Sequence, residues 1–190
     1  MQKVVGSSPI SRSQKCLQID LFRFARPSAF SGHDLVINRE TRRPTPESAP
    51  TDAKASCLYP NSSRGAAEMM KRGFQNGIVL DALGNVAETC SSNIFLAKSG
   101  VVSTPIPNGT FLAGITRNRT VKLLRNAGIT VEERTVTTAD LDDADELFTT
   151  GNAGKVQPVS RYESRDLQPG PIARQAHDLY MAYARTQRVI

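Results

Sequence analysis

The chain holds 190 residues, with 24 basic against 18 acidic side chains and a formal net charge of +6. That length suits one full domain and part of another, and a hydrophobic share of 39% still permits a globular core. The basic residues are scattered and no aromatics interleave with them, which argues against nucleic acid and leaves attraction of small anions as the milder reading.

Residues 1–15 read as an irregular lead, since Gly6-Ser7-Ser8-Pro9 and Ser11-Arg12-Ser13 carry no periodicity. Two short apolar pieces follow, Leu17-Gln18-Ile19 and Leu35-Val36-Ile37, each of strand character. Residues 39–53 have the composition of a linker. Arg42-Arg43-Pro44-Thr45-Pro46 and Ala49-Pro50-Thr51 cannot hold a helix, and proline favours extended backbone there.

From Lys54 onward the pattern becomes regular. Ser62 or Ser63 is the expected cap of a helix with Ala66, Ala67, Met70 and Phe74 on one face. Gly77-Ile78-Val79-Leu80-Asp81 reads as a strand, Leu83-Gly84-Asn85 as a turn, and Val86-Ala87-Glu88 as the returning strand. Ile94 to Ala97 and Val101 to Thr104 form a second hairpin around Lys98-Ser99-Gly100. Thr116 opens a helix carrying Val121, Leu123 and Leu124, ended by Gly128. Ile129 to Glu132 is a strand, and Thr138 caps a short helical turn through Leu141. Glu146 to Thr149 and Lys155 to Val159 are strands flanking a tight glycine loop. Pro171 starts a last helix with Ile172, Ala176, Leu179 and Tyr183 toward the core. The sum is an α+β domain of hairpins and short strands with helices packed against them.

Several residues along this frame carry chemistry. Lys54, between Ala53 and Ala55, has small neighbours that leave room for a flat ring. Burial or a nearby cation lowers a lysine pKa enough for attack on an aldehyde; otherwise Lys54 is a solvated surface lysine. Tyr59 offers a phenol five residues on. Glu88 closes a strand just before a small polar loop, where a carboxylate can meet a cation, or else is a strand-end glutamate in solvent or paired with a basic residue. Gly114-Ile115-Thr116-Arg117 presents free backbone N–H groups at a helix start, a geometry that binds phosphate and also describes an ordinary N-cap. Thr149-Thr150-Gly151-Asn152-Ala153 is a second loop that lets backbone approach a ligand, or a plain turn.

Cys16, Cys57 and Cys90 are an odd set with no CxxC pair, accompanied only by His33 and His177. Neither a disulfide framework nor a metal site is expected, and unpaired thiols fit a reducing cytoplasm. No apolar run approaches membrane-spanning length, and residues 1–15 lack the apolar core of a signal peptide.

The order of these pieces is more specific than any one of them. Lys54 with Tyr59 five residues on, Glu88 followed by Ser92-Asn93-Ile94-Phe95, Thr104-Pro105, Gly114-Ile115-Thr116-Arg117, Ala144-Asp145-Glu146-Leu147-Phe148 and Lys155-Val156-Gln157-Pro158-Val159 together resemble the class IV pyridoxal-phosphate aminotransferases. The resemblance covers about residues 42–186. It implies the larger, C-terminal domain of that fold, the D-amino-acid aminotransferase-like type. On that basis residues 54–190 form the cofactor-binding domain, 42–53 an interdomain linker, and 1–41 a lead plus a remnant of the small N-terminal domain.

The resemblance also implies roles. Lys54 matches the Schiff-base lysine, which shuttles the proton between substrate and cofactor. Tyr59 matches the tyrosine beside the cofactor's phenolic oxygen, and Glu88 the carboxylate on its ring nitrogen. Ile115 and Thr116 match the phosphate-binding helix start. Asn152 and Ala153 fall in the loop that touches the phosphate and the substrate carboxylate. Arg23, Arg26 and Arg39 are assigned no role. The implied activity is a cytoplasmic, homodimeric transaminase of branched-chain amino acids with 2-oxoglutarate as acceptor. An aminodeoxychorismate lyase, a D-amino-acid transaminase and a non-catalytic truncated remnant remain open beside it.

Overall fold

A computed structural model of the chain describes residues 30–187. The expected strand at Leu17-Gln18-Ile19 and the arginines Arg23 and Arg26 lie outside these residues. The strands are β1 (His33–Arg42), β2 (Asn76–Leu80), β3 (Val86–Thr89), β4 (Asn93–Lys98), β5 (Val101–Pro105), β6 (Val131–Arg134), β7 (Glu146–Gly151), β8 (Lys155–Tyr162) and β9 (Arg165–Asp166). The helices are α1 (Tyr59–Lys71), α2 (Ile115–Asn126), α3 (Thr138–Asp143) and α4 (Pro171–Thr186).

The strands form one sheet in the order β3-β2-β1-β8-β7-β4-β5-β6, with β9 beside β8. β8 joins its two halves. Its first residues pair antiparallel with β7, as Phe148 with Pro158, and its last residues pair parallel with β1, as Asp34 with Arg161. The sheet rolls toward closure, because the Val86 amide of β3 donates to the carbonyl of Val136, just past β6, at 2.8 Å.

Period-two alternation puts the two faces of the sheet into two cores. On β4, Ile94 and Leu96 enter an inner core with Leu35, Ile37, Ile78, Leu147 and Val159. Phe95 and Ala97 point the other way, where Val121 and Leu124 of α2 and Ala173 and Ala176 of α4 cover them. The Phe95 and Phe148 rings stack across neighbouring strands, with centroids 4.9 Å apart. The expected hairpins form: β2 pairs antiparallel with β3, and β4 with β5. Ser99 and Gly100 both have positive φ, as a tight two-residue turn between twisted strands requires.

Several expected details shift. α1 starts at Tyr59 with Pro60 in its first turn and no side-chain cap, three residues before Ser62. Proline's fixed φ and missing N–H suit that first turn. Met69 and Gly65, rather than Met70, face the core, and Phe74 lies past the helix end. β6 begins at Val131, two residues later than the Ile129 start. The cap of α3 is Thr137, not Thr138, in a reciprocal capping box with Asp140. The strand seeded at Leu35-Val36-Ile37 extends to Arg42. It lies between β2 and β8, so residues 33–42 share the sheet of the residues after Lys54.

Candidate active site

Arg43 leaves the end of β1 and folds inward, with only 7% of its side chain exposed. Its Nε donates to the Thr110 carbonyl at 2.9 Å and one Nη to the Thr51 carbonyl at 3.1 Å. The other Nη lies 3.3 Å from Glu88 Oε1. Glu88 sits on β3 opposite Val79 of β2, with 14% of its side chain exposed. Burial pushes the Glu88 carboxyl up to about 7, while Arg43 and then Lys54 pull it back down. At neutral pH this carboxyl is poised between its two protonation states, a setting found at functional sites.

Glu88 and Arg43 line a cavity of about 660 Å³ whose walls include Lys54, Tyr59, Cys90 and Leu112. The opposite wall is one face of α1: Ser62, Ser63, Ala66 and Met70, continued by Phe74. These residues recur at helical spacing, so the apolar face expected to meet the core instead faces this cavity. Tyr59 is 47% exposed and Met70 50%, and Lys54 is exposed. Burial also pushes the Cys90 thiol up to about 11, which keeps it a neutral, weakly polar part of the wall.

Ile115, Thr116, Asn152 and Ala153 are not among the residues lining the cavity, but hydrogen bonds and packing tie their loops to its Ser91 end. Asn93, two residues after Ser91, donates to the Leu112 carbonyl at 2.9 Å and accepts from the Gly114 amide at 3.2 Å. Gly114 is the extended N-cap of α2 and supplies no side-chain cap, so the first amides of that helix stay free for an anion. A Cβ on Gly114 would lie 2.5 Å from Asn93 Oδ1, so any larger residue would push aside the side chain that holds this loop. Asn93 is also the strand partner of Thr150. Gly151 closes on Ser92, whose side chain a Cβ would meet at 3.3 Å. Asn152 and Ala153 are exposed at the tip of that loop, and Lys155 Nζ donates to Asn152 Oδ1 at 3.2 Å.

The cavity therefore offers a primary amine, a phenol and a carboxylate, and the free amides at the start of α2 adjoin it through the Asn93 bonds to Leu112 and Gly114. The Thr150 hydroxyl beside it is buried without a hydrogen-bond partner. This donor set fits a small aromatic aldehyde that carries a basic ring nitrogen and a phosphate. Among the described residues no group of His, Cys, Asp and Glu could hold a metal ion, and no helix is long and apolar enough to cross a membrane.

A profile of the amino-transferase class IV family matches residues 10–162. The chain belongs to the class IV aminotransferases. A probable branched-chain-amino-acid aminotransferase of Aquifex aeolicus is 35% identical over 173 residues, which are 89% of this chain and 56% of that protein. Among solved structures, an aminotransferase from Brucella abortus bound to the cofactor PLP is 46% identical with a TM-score of 0.80, over 83% of this chain and 56% of that one. The Escherichia coli branched-chain amino acid aminotransferase is 32% identical with a TM-score of 0.76, over 80% and 51% of the two chains. The chain thus spans about half the length of the relatives it matches. The class IV fold accounts for the rolled sheet described above.

Arg43 is not marked as a site residue by the sequence, because it stands directly before Pro44 in a stretch with linker composition. Its burial is set by tertiary position just past the end of β1, where a charged side chain is buried only when paired.

Proposed function

We propose that this chain is the cofactor-binding part of a pyridoxal-phosphate-dependent transaminase. The observation that carries the reading is the meeting of Lys54, Tyr59 and Glu88 on one cavity, with Arg43 fixing Glu88. Bound there, pyridoxal phosphate would supply an electron sink for charge developing at a substrate α-carbon.

Each residue then has a defined task. The Lys54 amine takes the proton from the substrate α-carbon and later returns it. Glu88 would hold a proton at the ring nitrogen, and Arg43 favours the ionised form of the Glu88 carboxyl and fixes its place. The Tyr59 hydroxyl hydrogen-bonds the phenolic oxygen. The amides of Ile115 and Thr116 and the Asn152 side chain hold the phosphate, and Asn152 with Ala153 meets the substrate carboxylate. Leu58, Ala66, Met70 and Phe74 supply the apolar side of the cavity, which suits a branched aliphatic side chain. The proposed donor is a branched-chain amino acid, as the names of the relatives also suggest; 2-oxoglutarate as acceptor and a cytoplasmic homodimer are proposed from the family resemblance alone. Residues 54–190 form the cofactor-binding part.

The test is a titration of the purified chain with pyridoxal phosphate, followed by borohydride reduction and peptide mass mapping. A visible absorbance that L-leucine bleaches, and a covalent adduct on Lys54, are expected. A colourless protein, or an adduct on other lysines that survives Lys54→Ala, would overturn the reading. Response to D-alanine alone would transfer it to D-amino acids.

A further inference from the structure

Arg117, in the first turn of α2, is the largest side chain buried to 1% exposure. One Nη donates to the Pro105 carbonyl at 2.7 Å and to Glu133 Oε2 at 3.0 Å. The other donates to Asn118 Oδ1 at 3.0 Å, and Nε has no partner. Glu133, on β6, also pairs through Oε1 with Arg125 in the last turn of α2, at 3.2 Å. Arg125 in turn donates to the Val131 carbonyl at 2.8 Å. One glutamate thus grips both ends of the helix, and the buried arginine ties its first turn to the end of β5.

Stability alone is a weak account of this arrangement. The apolar face of α2, with Val121 and Leu124, already anchors it to the outer core. Burying an arginine with one N–H unmet costs free energy that a well-packed apolar side chain would not. What the pair supplies beyond packing is position. An apolar stripe lets a helix slide and rotate by fractions of an ångström, whereas directed charge-assisted bonds at both ends fix its axial place. The end so fixed carries Ile115 and Thr116. Amides that must meet phosphate oxygens at hydrogen-bond distance are sensitive to displacements of that size.

We propose that Arg117 and Glu133 are positioning residues that set the N-terminus of α2 for binding the phosphate of the cofactor. This rests on the reading that the phosphate sits at Ile115 and Thr116. Neither residue touches the ligand; both act through the backbone of the first turn.

The experiment compares the affinity of the chain for pyridoxal phosphate and for pyridoxal, which lacks the phosphate, in the wild type and in Glu133→Gln, Arg117→Met and Arg117→Lys. Far-UV circular dichroism selects the folded variants. The expected result is a wild-type preference for the phosphorylated ligand that falls about tenfold or more in Glu133→Gln and Arg117→Met and returns in part in Arg117→Lys. Affinity for pyridoxal should change less than about twofold, a pattern that general loosening of the fold would not give. Glu133 is partly exposed, so its variant carries the test if Arg117→Met does not fold. A wild-type preference that survives intact in Glu133→Gln would overturn the positioning role and leave the phosphate site standing. No preference in the wild type would overturn the phosphate site, and the positioning role with it.

Discussion

Replacing Arg43 with methionine tests the electrostatic core of the site. The guanidinium lies 3.3 Å from Glu88 with both side chains largely buried. At an effective dielectric constant near 20 that separation corresponds to roughly 5 kcal/mol of attraction, or about 4 pKa units on the carboxyl. Glu88 starts from about 7, already above the ordinary carboxylate value, so the variant should move it well into the alkaline range. The sign of the stability effect follows. An acid whose folded pKa is raised weakens the fold as pH climbs from its unfolded value to its folded one, because the unfolded chain ionises first. In the wild type that loss ends near pH 7; in Arg43→Met it continues upward. The variant should be only modestly destabilised at pH 6, by about 1–3 kcal/mol, as the Thr110 and Thr51 carbonyls lose their donor. By pH 9 a further loss of about 2–3 kcal/mol should appear, near 1.4 kcal/mol for each pH unit above 7. Urea unfolding at both pH values, with carbon-13 NMR titration of the Glu88 carboxyl, measures both quantities. A destabilisation independent of pH, or a Glu88 titration unmoved from the wild type, would refute the reasoning.

Asn93→Ala removes the bonds to the Leu112 carbonyl and the Gly114 amide. It should cost about 1–3 kcal/mol in chemical denaturation and weaken pyridoxal phosphate more than pyridoxal. Glu146→Gln strips charge from a carboxylate that accepts the amides of Ile172 and Ala173 at the start of α4. A loss of about 1 kcal/mol is expected, seen as a Tm lowered by about 2–4 °C with ligand preference unchanged.

The hairpins, the end of α2 and the start of the last helix were legible in the sequence because each rests on local chemistry: Ser99-Gly100 for a turn, Gly128 for a stop, Pro171 for a start. Lys54, Tyr59 and Glu88 could be named together only through the order of motifs; in the structure all three line one cavity. What stayed hidden was set by distant partners. Met69 and Met70 are equivalent as letters; which one meets the core depends on where α1 lies across β1 and β2. Arg43 is a linker residue by composition and a buried ion-pair partner by tertiary position. The grip of Glu133 on both ends of α2 joins residues that no periodicity connects.

The seam at β8 has a temporal consequence. Asp34 and Arg161 are bonded neighbours in the folded sheet yet stand 127 residues apart in the chain. At about 5–20 residues per second of synthesis, β1 waits roughly 6–25 s after its own emergence for the strand that completes it. Until then Leu35, Val36 and Ile37, all buried in the finished protein, sit on a strand with at least one open edge, a template for pairing with other chains. Non-local pairing of this kind also slows folding. The nascent protein should therefore depend on chaperones until residues 155–162 have left the ribosome, and any form ending before Lys155 should aggregate through the β1 edge.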